Sequence, residues 1–580
     1  MSTDENFLEK KERLKLSIRI SRRSFLKRTA ALTAASGLAG CSPLIQGCAS
    51  KREFDLVIEG GLVYDGTGKP PVASDVAIVH DLIAKVGKIG SSRGKTVLGA
   101  AGLAVSPGFI DAHDHTDLSL IVNPKAESVI HQGITTLLSG QCGGSPFPIS
   151  DQIFEEEREN AKRIYGIELD WRDMAGFFSR LEAGGSALNY ATFVGHGTIR
   201  GRAMGFSDRP PTDQELELMK RLVEDHIRGG AFGISTGLEY TPGSFARPEE
   251  VAALCRAAAR LGAVYATHMR DEGDRLLESL AESIDAAKAS GVRLQISHFK
   301  TAYPRNWSKL DAALAMLEQA RRDGVEVFCD RYPYIAASTG LSFYFPMWAR
   351  EGTAGEFVSR LQDLGLDSRL RSHLAEQEKK LGSWDRIILS SITSVKNRVL
   401  QGKNVLEAAG EAGKPPYEFM RDLLIEEKGM VDMVVFMMNE DNLKKILAHP
   451  LVGVGCDGSA VAPYGILGMG KPHPRNYGTF PRVLGKYVRE EKILPAEEMI
   501  RKMTSVPAAR FGFEKRGLIK VGNYADLVVY DPGRIEDRAT WVNPHQYPAG
   551  IAYVIVNGQV VVDHNEHTGR LPGRILRKCV

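Results

Sequence analysis

The 580-residue sequence predicts an α/β fold, a (β/α)8 TIM-like barrel with a small β-sandwich domain formed by both chain ends. First, apolar strand-like runs alternate with amphipathic helical segments through the middle of the chain. Second, short strand runs separated by glycines occur near both chain ends with a similar composition. Third, five of the central runs end in residue types that bind metals, as the active strand ends of barrel enzymes do.

The barrel strands are predicted from eight apolar runs, at 103–110, 133–138, 190–195, 232–236, 263–267, 293–297, 326–330 and 452–456. Amphipathic segments lie between most of them, which is typical of the helices that connect parallel strands. These segments include residues 212–228, 248–261, 272–290 and 310–323. The interval of about 336–451 between the last two runs exceeds an ordinary connection and predicts an inserted lid.

The two chain ends are predicted to form one β-sandwich. The N-terminal strand runs are 54–58, 62–64, 75–79 and 82–86, and the C-terminal ones are 525–530, 553–556 and 559–562. The dipeptide Asn557-Gly558 favours a hairpin turn between the last two runs. We therefore expect sandwich parts at 53–104 and 508–580, with the barrel at 105–507.

Residues 1–40 have the features of an export signal. The run Ser-Arg-Arg-Ser-Phe-Leu-Lys at 21–27 matches the twin-arginine pattern, and an apolar stretch at 29–39, too short to span a bilayer, follows it. The stretch leads into Leu-Ala-Gly-Cys41, which resembles a lipobox. We therefore expect a twin-arginine lipoprotein-type signal, lipidation of Cys41 and a tether at 41–52. The protein is then an exported lipoprotein of the periplasm or cell envelope.

Charge and cysteine content exclude some classes of partner. The formal net charge is +3, but residues 1–40 hold nine Lys and Arg against four Asp and Glu, so the remainder carries −2. This balance does not favour a nucleic acid. The seven cysteines have no regular spacing and indicate no disulfide framework. We expect a small-molecule substrate and membrane contact only through a lipid anchor at Cys41; no oligomeric state is predicted.

Metal-binding residue types follow five of the predicted strands. His113 and His115 follow the first strand, and residues two apart on an extended chain share one face. A barrel gathers the carboxyl ends of its strands at one mouth, so all these side chains are expected to converge. Four imidazoles, a thiolate and a carboxylate suit one or two Zn²⁺ ions. The predicted metal ligands are His113, His115, Cys142, His268, His298 and Asp457.

Nine segments resemble the D-aminoacylase (N-acyl-D-amino-acid deacylase) family of the amidohydrolase superfamily. They include Pro-Gly-Phe-Ile-Asp-Ala-His-Asp-His at 107–115, Ser-Gly-Gln-Cys-Gly at 139–143, Thr-His-Met-Arg-Asp-Glu at 267–272 and Asp-Arg-Tyr-Pro-Tyr at 330–334. The others are residues 132–136, 232–243, 296–300, 473–475 and 567–574, so the resemblance extends over essentially all of 53–580. It implies a metal-bearing barrel with a small sandwich made from both chain ends.

The resemblance also implies roles for the metal ligands. Cys142, His268 and His298 would hold a tightly bound zinc ion. A second, weaker position would be lined by His113, His115 and Asp457, with Cys142 as a bridge. Zinc lowers the pKa of water towards about 7. Asp457 is then expected to act as general base towards that water and afterwards as general acid towards the leaving amine.

Two cations are candidates for binding a substrate α-carboxylate. Lys300 follows His298 by two residues, and Arg475 lies beyond the last strand, where a guanidinium can bind a carboxylate in a bidentate manner. By resemblance, Tyr332 and Ser338 complete this site. The link between Asp457 and His473-Pro-Arg475 is longer than is usual in the family, and its added small and apolar residues affect the predicted substrate pocket.

The leading hypothesis is a zinc-dependent amidohydrolase that removes the acyl group from N-acyl-D-amino acids. A second hypothesis keeps the metal centre but changes the substrate, to a dipeptide with a C-terminal D-amino acid or to another amide. A cyclic amide is disfavoured, since Lys300 and Arg475 suit a free carboxylate. An inactive surface-binding lipoprotein ranks low, because all six metal ligand positions are present.

Overall fold

The computed structural model describes residues 53–580. The predicted signal, the lipidation site at Cys41 and the tether at 41–52 lie outside the described residues. Within residues 53–580, no helix combines the length and the apolar character that crossing a membrane requires.

The strands, in chain order, are as follows. The first part of the chain forms β1 (Phe54–Val63), β2 (Val72–Val79), β3 (Leu82–Gly87), β4 (Gly94–Gly99), β5 (Ala104–Pro107), β6 (Phe109–Asp111), β7 (Ile134–Ser139), β8 (Asn189–Thr192), β9 (Val194–Gly195), β10 (Gly233–Gly237) and β11 (Val264–His268). The second part forms β12 (Arg293–Ile296), β13 (Val327–Arg331), β14 (Ala336–Gly340), β15 (Ile387–Ile392), β16 (Val431–Phe436), β17 (Val452–Val454), β18 (Leu527–Tyr530), β19 (Ile551–Val556), β20 (Gln559–Asp563) and β21 (Glu566–His567).

The α-helices alternate with the central strands. The first nine are α1 (Ser119–Val122), α2 (Glu127–Ile130), α3 (Phe154–Tyr165), α4 (Met174–Gly184), α5 (His196–Met204), α6 (Asp213–Arg228), α7 (Pro248–Arg260), α8 (Leu276–Ser290) and α9 (Leu310–Arg322). The remaining ones are α10 (Met347–Arg350), α11 (Ala354–Gln362), α12 (Asp367–Leu381), α13 (Val405–Glu411), α14 (Pro416–Glu426), α15 (Glu440–Ala448), α16 (Arg475–Arg482), α17 (Ala496–Met503) and α18 (Ser505–Phe511).

Helix α6 illustrates how local sequence sets a helix start. The Thr212 hydroxyl accepts a hydrogen bond from the backbone N–H of Glu215, and the Glu215 carboxylate accepts one from the backbone N–H of Thr212. This reciprocal pair satisfies two donors that a helix N-terminus leaves free. The helix buries Met219, Val223 and Ile227, spaced four residues apart, against the barrel.

One nine-stranded sheet unites the two ends of the described chain. Its order is β21-β20-β19-β18-β5-β1-β2-β3, with β4 beside β1. Strands β5 and β18 join the two ends as an antiparallel pair. Apolar side chains of both halves of the sheet share one core, including Leu56, Ile78, Leu527 and Ile555.

The predicted first barrel strand, 103–110, is wrong as a single strand. Residues 104–107 form β5 of the end sheet, and Phe109–Asp111 forms β6 of the barrel. Gly108 lies between them, and a Cβ atom at this position would lie 2.2 Å from Thr135 Oγ1. The chain therefore crosses from one sheet to the other at a glycine, because this close approach to β7 leaves no space for a side chain.

Nine parallel strand segments form the barrel, because β8 and β9 are two consecutive parts of the predicted strand 190–195. Strands β6-β7-β8 make one run, and β17-β13-β12-β11-β10-β9 make the other. The runs are joined by the short step from β8 to β9 and by a parallel bridge between Asp114 and Gly458 beyond the ends of β6 and β17. This closure brings the first and last strand ends together at the mouth of the barrel.

The interval between β13 and β17 is a folded insertion. Strands β14, β16 and β15 form an antiparallel sheet in that order, and helices α10–α14 pack around it. This insertion has a hydrophobic core of its own, which includes Leu370, Trp384, Met420 and Met433. Tyr332 and Tyr334, which follow β13, belong to the same hydrophobic core. The insertion therefore packs against the carboxyl end of the barrel.

We expect Gly233→Ala to lower the free energy of unfolding by roughly 3 kcal/mol, the upper end of the usual range for point substitutions. The loss is large because the backbone must move to accommodate the new methyl group. A Cβ at Gly233 would lie 1.9 Å from the carbonyl oxygen of Val264 on the neighbouring strand. Urea unfolding monitored by circular dichroism gives the free energy of unfolding. The control is Gly410→Ala in α13, where a Cβ meets nothing within 4 Å; equal stability of the two variants would contradict the prediction.

Candidate metal centre

The six predicted metal ligands all lie at the carboxyl ends of barrel strands. His113 and His115 follow β6, and Cys142 follows β7. His268 is the last residue of β11, while His298 follows β12 and Asp457 follows β17. Parallel strands direct their carboxyl ends to one side of a barrel, which explains how residues so far apart in sequence meet.

Four of these side chains form one compact donor group. The ligand atoms of His113, Cys142, His298 and Asp457 lie within 4.8 Å of one another. Cys142 Sγ is 3.4 Å from His113 Nε2 and 3.5 Å from His298 Nε2. His115 joins the group through Asp457, whose Oδ1 lies 3.1 Å from His115 Nε2.

A second donor group adjoins the first through His298. It contains His268, Glu272 and His298, with Glu272 Oε1 at 3.0 Å from His298 Nδ1. The rings of His268 and His298 are in edge contact, with their centroids 4.5 Å apart. Cys142 approaches both His113 and His298, and Asp457 approaches His113.

The backbone is strained at three of the ligands. Cys142, His298 and Asp457 have φ angles of 51°, 35° and 53°. Positive φ is disfavoured for residues with a Cβ atom and persists where the surrounding structure imposes it, often at functional sites. These three residues leave their strands in a conformation that turns the side chains towards the common centre.

The charges of the centre are strongly coupled. Burial would raise the pKa of Cys142, but His113 and His298 outweigh burial and hold this pKa well below its usual range. For Asp457, burial again opposes ionisation, and Arg475 together with His298 lowers the pKa well below its usual value. Burial lowers the pKa of His268, yet Glu272 and neighbouring groups raise it to about 10. An ionised thiolate and carboxylate are therefore balanced by positive charge within a desolvated site.

This donor set fits zinc. Thiolate, imidazole and carboxylate are the ligands that Zn²⁺ prefers, and a cation in their midst replaces the protons that otherwise balance the thiolate and carboxylate. His268 Nδ1 is buried and has no hydrogen-bond partner within residues 53–580. A buried nitrogen without a partner is energetically unfavourable and is expected to bind a ligand.

Three carboxylates of the centre were missed in the sequence analysis. Asp330 Oδ1 lies 3.2 Å from His113 Nδ1 and accepts the backbone N–H of His298. Glu239 Oε2 lies 2.9 Å from His268 Nε2, and Glu272 contacts His298. Carboxylates in such positions orient imidazole ligands and set their tautomers. Asp330 was the most accessible to sequence reasoning, since it ends the seventh predicted strand.

The predicted substrate-binding residues lie beside the metal centre. Arg475 Nη1 donates to Asp457 Oδ2 at 2.7 Å, and its guanidinium stands 4.8 Å from the ring centroid of Tyr332. Arg475 Nη2 is 3.5 Å from the carbonyl oxygen of Ser338. Lys300 is buried and ion-paired with Glu272, with Nζ at 2.8 Å from His298 Nδ1. Lys300 therefore supports the metal ligands as well as lining the cavity.

One large cavity opens onto the centre. Its volume is about 1360 Å³, and its wall includes His115, Cys142, His268, His298 and Asp457. The insertion provides part of the wall, and the long link after Asp457 provides another part through residues such as Ile466 and Met469. The cavity is large enough for a drug-sized ligand.

Comparisons with known proteins agree with this geometry. The model of the amidohydrolase family matches residues 96–562. An N-acyl-D-glutamate deacylase of Alcaligenes xylosoxydans xylosoxydans is 35% identical over 530 residues, which cover 91% of this chain and 97% of the relative.

Solved structures show the same relationship. An N-acyl-D-glutamate deacylase from Bordetella bronchiseptica, complexed with zinc and a phosphonate inhibitor, superposes with a TM-score of 0.77 at 32% identity, covering 91% of this chain and all of that one (100%). A D-aminoacylase described as having a binuclear metal centre superposes with a TM-score of 0.76 at 33% identity, with coverage of 90% and 100%. With its barrel, its strand-end donors and these matches, the chain belongs to the amidohydrolase family.

Proposed function

We propose that this amidohydrolase uses zinc to hydrolyse the amide bond of N-acyl-D-amino acids. The observation that carries the proposal is the convergence of His113, Cys142, His298 and Asp457 within 4.8 Å, beside a cation that can bind a carboxylate. The relatives that match nearly the whole chain are deacylases of N-acyl-D-amino acids by name. The number of zinc ions per chain belongs to the proposal too, with one tight site and a second, weaker one.

Zinc, when bound by these residues, supplies an activated water and a positive charge for the developing oxyanion. Asp457 moves the proton. One of its oxygens faces His113 and His115, and the other accepts from Arg475. Because the pKa of Asp457 is held well below its usual value, the carboxylate is ionised and can accept the proton of the attacking water. The same group then returns the proton to the leaving amine.

Arg475 and its neighbours bind the substrate α-carboxylate in this proposal. Tyr332 packs against the guanidinium, and its buried hydroxyl has no hydrogen-bond partner within the described chain. Ser338 lies on β14 of the insertion, beside the guanidinium. Lys300 contributes less directly, because Glu272 already neutralises its charge.

A dipeptidase that releases a C-terminal D-amino acid is the second candidate. The observation that favours it is the cavity volume of about 1360 Å³, which exceeds what an N-acetyl amino acid fills. A dipeptide presents the same linear amide and the same terminal carboxylate to the centre. Comparing N-acetyl-D-amino acids with dipeptides that end in the same D-residue distinguishes the two.

We expect purified protein to contain zinc and to hydrolyse N-acetyl-D-amino acids much faster than their L-enantiomers. Removal of zinc by a chelator should abolish turnover, and added Zn²⁺ should restore it, because the ion supplies the activated water. Zinc per chain is measured by atomic emission, and released amine by a ninhydrin assay. Zinc without turnover of any acyl or peptide substrate would contradict the proposal and favour the binding lipoprotein.

We expect Asp457→Asn to lower kcat by about 10²- to 10⁴-fold, since an amide cannot accept the proton. Zinc content is measured in parallel, because Asp457 also lies among the metal ligands. As a matched control, Asp441→Asn changes a carboxylate in the first turn of α15 that lies outside the cavity wall. Turnover at the wild-type rate in the Asp457→Asn variant would contradict the proposed role of Asp457 in proton transfer.

We further propose that the protein is exported by the twin-arginine route and lipidated at Cys41. Replacing both Arg22 and Arg23 by Lys should retain the protein in the cytoplasm, whereas Cys41→Ala should release it in soluble form into the periplasm. Cell fractionation followed by immunoblotting measures both outcomes. Export that is unchanged by the arginine substitutions would refute the route.

A further inference from the structure

We propose that Arg350 binds an anionic group on the substrate side chain, so that the preferred substrates are N-acyl derivatives of acidic amino acids. This inference rests on the proposed deacylase function and names the substrate class of the same site. Arg350 ends α10 of the insertion and forms part of the cavity wall.

The guanidinium of Arg350 lacks a partner of opposite charge. Its Nε is buried and makes no hydrogen bond, and no carboxylate of residues 53–580 lies within 4.0 Å of its nitrogens. Its guanidinium carbon lies 6.0 Å from the ring centroid of Phe343. A partly buried cation without a partner is unfavourable, and it persists at sites where a ligand supplies the missing charge. Burial also lowers the pKa of Arg350, in spite of opposing effects from Glu239 and Tyr240.

Other buried or half-buried cations of the cavity wall have a hydrogen-bonding partner within the protein. Lys300 is paired with Glu272, Arg475 with Asp457 and Arg270 with Glu282. Each of these three cations has a protein carboxylate as partner, and Arg398 donates from Nη2 to the carbonyl oxygen of Thr393, whereas the side chain of Arg350 has neither within residues 53–580. Arg163, Arg275 and Lys428 also line the cavity, but they are exposed to solvent, which stabilises their charge without a partner.

A continuous wall connects Arg350 to the proposed α-carboxylate site. Ser338 of that site is followed by Thr339, whose Oγ1 lies 3.3 Å from the hydroxyl of Tyr240. The next residue, Thr241, donates from Oγ1 to the carbonyl oxygen of Arg350 at 3.3 Å. Tyr240 also packs against His268 of the metal centre, at 4.8 Å between ring centroids. Arg350 is thus anchored to residues that border both the metal and the carboxylate sites.

A second carboxylate on the substrate would complement this arrangement. Arginine offers a planar set of donors that matches a carboxylate in a bidentate manner. A neutral substrate side chain would cover the guanidinium without offering it a partner, and sites built for a polar group reject substrates that lack it. The structure therefore favours the aspartate- and glutamate-like members of the substrate class over the leucine- or methionine-like members.

The test compares kcat/KM for N-acetyl-D-glutamate, N-acetyl-D-aspartate and N-acetyl-D-leucine. We expect the wild-type protein to prefer an acidic substrate by roughly 100-fold. Arg350→Met should lose about 100-fold on the acidic substrates while leaving N-acetyl-D-leucine within about threefold. Arg369→Met is the matched control, because Arg369 stacks on Trp348 of the same region but is exposed and outside the cavity wall. The Arg369→Met variant should have the wild-type kcat/KM on both the acidic and the neutral substrates.

Arg350→Lys keeps the charge and should retain part of the preference for acidic substrates. This variant keeps the proposal testable if Arg350→Met fails to fold. Zinc content and Tm are measured for every variant. A wild-type preference for N-acetyl-D-leucine, or equal losses on all substrates in well-folded Arg350→Met, would overturn the role of Arg350 while leaving the deacylase function intact. Absence of turnover on all three substrates would overturn both.

Discussion

The burial of opposite charges at one end of the barrel is the constraint on which the rest of the site depends. A thiolate, an aspartate and several imidazoles, all buried or half-buried, lie within a few ångströms of one another. Each alone would be unfavourable in this environment, and their mutual arrangement makes the ionised forms stable. The positive φ angles of Cys142, His298 and Asp457 show that the backbone gives up its own preferred conformation to keep these groups together.

Closure of the barrel fixes the two sides of the centre relative to one another. The backbone N–H of Asp457 donates to the carbonyl of His113 at 2.7 Å, and that of His115 donates to the carbonyl of Gly458 at 2.7 Å. These bonds between the first and last strand ends set the distance from the histidine pair to the aspartate. Rigid main-chain positioning of this kind pre-organises a site better than flexible side chains do.

Much of this arrangement was accessible from the sequence, and the exceptions have physical reasons. Strand-helix alternation located the barrel because its strands are short, apolar and buried. The strand ends gave six candidate metal ligands, and the structure brings the donor atoms of four of them within 4.8 Å of one another. The run 103–110 was misread because β5 and β6 are both buried and only Gly108 separates them. Glu239 and Glu272 were missed because their roles depend on which imidazole they face. Nor does sequence spacing reveal that Lys300 is neutralised by Glu272 while Arg350 is left unpaired.

The pairing of β5 with β18 has a consequence for biosynthesis. A ribosome makes the N-terminal strands first, but β18 emerges only after the whole barrel and its insertion have been translated. The last residues also lie along the barrel, where Leu576 donates its backbone N–H to the carbonyl of Tyr190. Strand β5 therefore keeps an unpaired edge until β18 has been synthesised, a state open to aggregation and proteolysis. Chaperone protection of the nascent chain matters most during that interval.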